Sequence, residues 1–180
     1  MTMTEPTVRP GGRSDAHATD EGASARPSMV QLLRIVRSVA EEPERWRPRV
    51  HHQIDRRYYE HLVLADDHEV LLICWDVGQT TLLHDHASSI GAFVVVEGAL
   101  LEDYGRAGSS SLRQRRLTRG RARSFGPGYV HNLTNVGPGL ATSIHAYSPA
   151  ITILNYYAVL PGGLVPVRSL AVDQPEPPAA

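Results

Sequence analysis

The sequence predicts a mainly β domain, a sandwich or small barrel, entered through one short N-terminal helical segment. Two observations carry this. Beyond about residue 68 the apolar residues fall into short β-rich runs bounded by Gly, Pro, Asn or Asp. Strands at such regular spacing fold into sandwiches or barrels. Ahead of them, one segment keeps a helical period instead. Composition fits a single globular domain: 180 residues can bury a core, and 42% hydrophobic with 21% charged content is ordinary for a soluble chain.

In chain order, residues 1–27 (MTMTEPTVRPGGRSDAHATDEGASARP) are rich in Gly, Pro, Ser, Thr and charge, and read as a disordered arm. Ser28 is a candidate N-cap for a helix with the apolar stripe Met29, Leu32, Leu33, Val36 and Val39, and Pro43 marks its stop. The β runs follow as HEVLLICWDVG, GAFVVVEGALLEDYG, SLRQRRLT, YVHNLTNVG, LATSIHAYSP and ITILNYYAVLPGG. Glu97-Gly98, between two apolar runs, reads as a tight hairpin turn. Residues 168–180, ending VDQPEPPAA, read as a flexible tail, which leaves 28–167 as one folded domain.

Several function classes drop out early. A formal net charge of -1 offers no basic footprint for nucleic acid. No run approaches the roughly 18 apolar residues of a membrane span, and the N-terminus lacks a signal peptide's apolar core. The single cysteine, Cys74, excludes an internal disulfide and reads as a buried strand residue in a reducing compartment. The expectation is a cytoplasmic monomer or small homo-oligomer with no nucleic-acid or membrane partner.

The chemistry lies in the histidines. Among the nine, His17 falls in the arm, and His51, His52 and His68 sit in polar, loop-like contexts. His61 reads equally as a core-edge or a pocket residue. His84 and His86, in TTLLHDHASSIGAFVVVEG, would point to one face of a strand. Their spacing is shared with glycines: Gly78-x5-His84-x-His86-x4-Gly91-x6-Gly98, then Gly120-x5-Gly126-x-Gly128-x2-His131-x3-Asn135. These segments resemble the two signature motifs of the cupin superfamily. That resemblance implies a double-stranded β-helix (jelly-roll) barrel holding a metal through His84, His86 and His131. It departs at Gly91, where the first motif has an acidic ligand, and at Pro127, which is shifted by one. Three neutral imidazoles leave about three of six octahedral positions open, a relative of the facial triad of non-haem Fe(II) oxygenases. A tetrahedral zinc site with one open position is the alternative. Without the carboxylate the site is one charge unit more positive and favours an anionic substrate group such as a thiolate.

Ser143, His145 and Tyr147 share a strand face at i, i+2 and i+4 and could form a hydrogen-bond relay. An ordinary half-buried strand explains the same spacing. Taken together, CWDVGQTTLLHDH, the histidine in GPGYVHNLTN and SIHAYSP resemble the thiol dioxygenases related to cysteine dioxygenase, from about Tyr58 to Tyr147. The resemblance implies Fe(II) on His84, His86 and His131, and a Ser143–His145–Tyr147 triad with its phenol near substrate and oxygen. It also implies that a small-molecule thiol and O2 combine to a sulfinic acid. Gly91 further replaces the cysteine that cross-links to tyrosine in the animal enzymes, so no such cofactor forms there. The family's carboxylate-binding arginine falls at Glu60-His61, with Arg56 and Arg57 just upstream as candidate substitutes. Glu60 in a pocket would repel a carboxylate and favour a cationic group. With Gly91, these are the candidate substrate residues. Cysteine, mercaptopropionate, cysteamine and a thioimidazole such as ergothioneine are all admissible thiols. A non-redox metal-dependent cupin enzyme and a small-molecule-binding cupin are the competing classes.

Overall fold

A computed structural model describes residues 26–174. Residues 1–25 of the expected arm, His17 among them, and 175–180 of the expected tail lie outside these. Helix α1 (Met29–Glu41) starts where the sequence places it. The Ser28 hydroxyl accepts from the Gln31 amide at 3.4 Å, and the Gln31 side chain accepts from the Ser28 amide at 2.8 Å, a capping box that satisfies two otherwise orphaned donors. Leu32, Val36 and Val39 are buried, whereas Met29 is 42% exposed. Pro43 opens a second short helix, α2 (Pro43–Trp46), where its missing N–H costs nothing.

Eleven strands follow: β1 (Tyr58–Leu64), β2 (Glu69–Trp75), β3 (His84–Asp85), β4 (Ile90–Glu97), β5 (Ala99–Arg106), β6 (Arg113–Thr118), β7 (Ala122–Phe125), β8 (Tyr129–Thr134), β9 (Ala141–Ser148), β10 (Ile153–Leu160) and β11 (Gly163–Ala171). They form two antiparallel sheets, ordered β1-β2-β9-β4-β7 and β11-β10-β3-β8-β5-β6. The two-residue side-chain period sorts the five-stranded sheet into two faces. Val70, Leu72, Cys74, Ala92, Val94, Ile144 and Ala146 face outward and are covered by Leu32, Val36 and Val39 of α1. The alternate residues, including Trp75, Phe93, Val95, Phe125 and Tyr147, face inward. The helix therefore lies against the barrel's side over β4, β7 and β9. Strand β9 is buried at every residue, so the half-buried strand that its spacing also allowed is not what forms. No described helix is long and apolar enough to cross a membrane.

Three expectations need correction. Glu97-Gly98 does not close a hairpin, because β4 pairs with β7 and β9, and β5 with β6 and β8. The dipeptide is a corner where the chain leaves one sheet for the other. Gly98 has φ 69°, and a Cβ there would lie 2.4 Å from the Leu140 carbonyl oxygen, so only glycine fits. The tail is also shorter than expected, since β11 stays paired with β10 to Ala171, past position 168. At the other end Pro27, placed in the arm, is buried.

Candidate metal centre

Strands β3 and β8 bring three histidines together. His84 stands opposite His131 in antiparallel register, and His86 directly follows β3. One ring nitrogen from each lies within 4.8 Å of the others, and all three residues are buried. Because β3 is only two residues long, the His-x-His turn depends on the side chain between its histidines. The Asp85 carboxylate accepts from the Ala87 amide at 2.9 Å, Asn155 Nδ2 at 2.8 Å and the Tyr157 hydroxyl at 2.7 Å. Burial, and then the bond to Asp85, raise the Tyr157 phenol to about 12.

Hydrogen-bond arithmetic fixes one tautomer here. His84 Nδ1 lies 2.7 Å from the Leu82 carbonyl oxygen. A carbonyl only accepts, so Nδ1 carries the proton and Nε2 presents a bare lone pair. His86 Nδ1 and His131 Nε2 are buried with no hydrogen-bond partner, a costly arrangement that coordination would relieve. Burial, then the nearby His131, holds His84 down to about 3, with Arg57 adding to the effect. Burial and the other histidines likewise push His86 well down. Both are neutral at pH 7 and can take a metal without losing a proton. Three converging imidazoles, two with orphaned nitrogens, fit a mononuclear first-row divalent metal.

Beside them runs a hydrogen-bonded chain. Trp75 Nε1 donates to the Ser143 hydroxyl at 2.9 Å, Ser143 Oγ is 2.8 Å from His145 Nε2, and His145 Nδ1 is 3.2 Å from the Tyr147 oxygen. Burial first, then His131 and His84, holds His145 down to about 3, so it is neutral with one N–H. The indole can only donate, while the Ser143 hydroxyl keeps a second lone pair and its own proton, so the roles along the chain follow the tautomer of His145. With the proton on Nδ1, Tyr147 accepts from His145 and keeps its own O–H free. Burial, then the nearby Glu69, keeps that phenol protonated. The Tyr147 ring is 4.7 Å from that of His86.

The candidate substrate residues divide by strand parity. Tyr58 and Glu60 pair with Cys74 and Leu72, whose side chains face α1. Glu60 accepts from the Tyr58 hydroxyl at 2.9 Å and pairs with Arg49 at 3.4 Å. It therefore does not reach the centre, and the expected charge selection by Glu60 falls away. Arg56 is exposed. Arg57, of opposite parity, lies over the Trp75 ring with Cζ 5.6 Å from its centroid and donates to the Thr80 carbonyl. His61 pairs with Leu71 on the inward-facing parity, and its Nε2 is 2.8 Å from Glu69, itself opposite Tyr147. Gly91 makes room for rings. A Cβ there would lie 2.5 Å from Phe125 Cζ and 2.9 Å from Tyr147 Cδ1. Phe125, stacked 5.2 Å from His86, fills the volume an acid or cysteine at 91 would need.

Sequence reasoning missed Asp85, Trp75, Phe125 and the partners of His131. Glu102 Oε1 is 3.0 Å from His131 Nδ1, while Arg115 Nε donates to Glu102 Oε2 at 2.6 Å and the Tyr129 hydroxyl to Oε1 at 2.8 Å. Trp75 and Asp85 lie inside the quoted motifs and could have been questioned there. Nothing local distinguishes Glu102 from the adjacent Asp103.

The family model for cysteine dioxygenase type I matches residues 24–159. No curated protein matches the sequence. Among solved structures, the TT1209 protein of Thermus thermophilus superposes with a TM-score of 0.52 at 16% identity, over 58% of this chain and 93% of its own. A Klebsiella pneumoniae protein with a double-stranded β-helix domain gives 0.47 at 20% identity, over 56% and 83%. KdgF from Halomonas sp. gives 0.47 at 19% identity, over 55% and 85%. At such identities the likeness is one of fold alone, and the two antiparallel sheets, with the family match, are those of the mainly β cupin barrel expected from the motifs.

Proposed function

The chain belongs to the cysteine dioxygenase type I family, and on that premise we propose that it is a mononuclear Fe(II) thiol dioxygenase. In the proposed reaction a small thiol and O2 become the sulfinic acid. The S–H bond breaks, both oxygen atoms bond to sulfur, sulfur loses four electrons and dioxygen gains four. The observation that carries this reading is the buried hydrogen-bonded chain Trp75–Ser143–His145–Tyr147, which ends in a protonated phenol beside three buried imidazoles.

His84, His86 and His131 would hold the iron. Bound there, Fe(II) supplies open coordination positions and the redox chemistry that activates dioxygen toward sulfur. The chain supplies positioning and electrostatics. Tyr147 donates a hydrogen bond toward oxygen as charge develops on it, in a buried setting where such a bond counts for more than in water. His145 holds the phenol's orientation through its hydrogen bond to the phenol oxygen. Phe125 and the Tyr147 ring exclude water from the side of His86. We take Arg57, whose charge is felt at His84, as the cation that would receive a substrate carboxylate, favouring acid-bearing thiols over cysteamine.

The decisive experiment is oxygen uptake by iron-loaded protein with mercaptopropionate, cysteine, cysteamine and ergothioneine, with mass analysis of the product. One O2 consumed per thiol and a product heavier by two oxygen atoms is the expected result. Uptake with none of the thiols, from protein holding one iron per chain, would remove the reading. In the same assay Arg57→Gln is expected to raise KM for carboxylate thiols roughly 10- to 100-fold, the worth of a charged hydrogen bond, while leaving cysteamine unchanged. Equal effects on both classes would exclude Arg57 as the carboxylate partner. Tyr147→Phe should keep its iron yet lose about 100-fold in kcat, as removal of one preorganised donor does. An unchanged kcat would reduce Tyr147 to a packing residue.

A further inference from the structure

Glu102 is fully buried, yet it is an acid in a barrel wall. It stands on β5, directly opposite Arg115 of β6, while the neighbouring strand β8 carries His131. Its two oxygens meet three donors. Oε2 takes Arg115 Nε–H at 2.6 Å, and Oε1 takes the Tyr129 hydroxyl at 2.8 Å and faces His131 Nδ1 at 3.0 Å. Arg115 also donates to the Tyr129 oxygen at 2.7 Å, and its Cζ sits 4.0 Å from the centroid of the Tyr104 ring.

A guanidinium has no acceptor, so the Tyr129 oxygen accepts from Arg115 and its proton goes to Glu102. An ionised carboxylate has no proton to give, so His131 must donate from Nδ1. In the neutral ring its Nε2 is then bare, and that nitrogen is buried without a partner. Burial alone would raise the Glu102 carboxyl, but the bonds to His131 and Arg115 outweigh it and leave the group below its ordinary range.

We infer that Glu102 is a positioning residue: its carboxylate locks His131 as the Nδ1–H tautomer and aims Nε2 at the metal, while Arg115 cancels its charge. The acid that Gly91 removes from the ligand set thus returns one bond further out. It returns as an orienting group, because its charge is already neutralised by the guanidinium. The centre stays a three-nitrogen cationic site, consistent with an anionic sulfur ligand. This inference rests on the reading of His84, His86 and His131 as metal ligands.

Glu102→Gln is the informative variant, because it keeps shape but not donor arithmetic. One carboxamide cannot accept from His131, Tyr129 and Arg115 together. With its NH2 toward His131 it forces the other tautomer, and with its NH2 toward Arg115 two donors collide. Tyr129→Phe removes one hydrogen bond from the same cluster but leaves the carboxylate on Nδ1–H. Zn(II) affinity, by competition with a chromophoric chelator, is expected to fall 10- to 100-fold in Glu102→Gln and less than about 3-fold in Tyr129→Phe. Imidazole 15N spectra of the metal-free protein should show His131 as the Nδ1–H form in wild type and Tyr129→Phe, and lose it in Glu102→Gln. Equal Zn(II) losses in the two variants would mean general packing damage and overturn the inference, as would wild-type affinity or an unchanged tautomer in Glu102→Gln. Failure of wild type to bind one Zn(II) would instead overturn the metal-site reading beneath it.

Discussion

His86→Ala is expected to purify without iron and to show thiol-dependent oxygen uptake no greater than buffer. The loss should exceed the 10- to 100-fold drop in metal affinity that follows removal of an outer partner, because a direct ligand goes. The protein should still fold. Its buried Nδ1 has no hydrogen-bond partner, so truncation relieves an unsatisfied polar group while opening a cavity beside Phe125 and Tyr147. Those terms oppose one another, each on the order of 1–3 kcal/mol. Metal analysis and a thermal melt of the same preparation check both halves. Iron at one per chain in a folded variant would remove His86 from the ligand set, and an unfolded variant would show its imprint on stability to be larger than its surroundings suggest.

Acid should destabilise the metal-free protein at an unusually high pH. His84 and His145 are held to about 3 and His86 well down, chiefly by burial, against about 6.5 in an unfolded chain. Above about pH 6.5 neither state binds protons at these rings and stability is flat. Below it the unfolded chain takes up protons that the folded one refuses, so stability falls as pH drops, until the folded values near 3 are reached. Each histidine contributes about 1.4 kcal/mol per pH unit, and His84, His86 and His145 together about 4 kcal/mol. A domain with roughly 5–15 kcal/mol of stability cannot survive many units of that slope. Glu102, held below its ordinary value of 4.5, adds its own loss only at lower pH, so the window from about 6.5 to 4.5 belongs to the histidines. Urea unfolding of chelator-treated protein at pH 7.5, 6 and 5 tests this. Equal stabilities at the three values would show that these rings protonate in the folded state.

The histidine motifs, the Ser-x-His-x-Tyr strand and the helix with its Ser28 cap were legible because each depends on local periodicity. An i, i+2 spacing puts side chains on one strand face whatever the strand packs against. The same parity rule could not decide which face of β1 turns inward. That required the register of β1 on β2, which sends Glu60 to the outer face beside Arg49 and leaves Arg57 and His61 on the other parity. The corner at Gly98 was misread for a related reason. Neighbours in sequence usually pair, and only the topology separates β4 from β5.

By itself, then, the sequence pointed to a mainly β fold from its short strand runs, and its resemblance to the cupin motifs and the thiol dioxygenases implied the barrel, the three histidines and the Ser143–His145–Tyr147 strand. Tertiary structure alone decided what stands behind them. Glu102 and Asp103 are adjacent acids in one strand, and one is fully buried behind His131 while the other accepts from Gln114 at the surface. Gly91 reads as a missing ligand until Phe125, far along the chain, is seen to fill its space. Side-chain contacts between distant strands leave no local trace, because the residue types they require are common and only the packing selects among them.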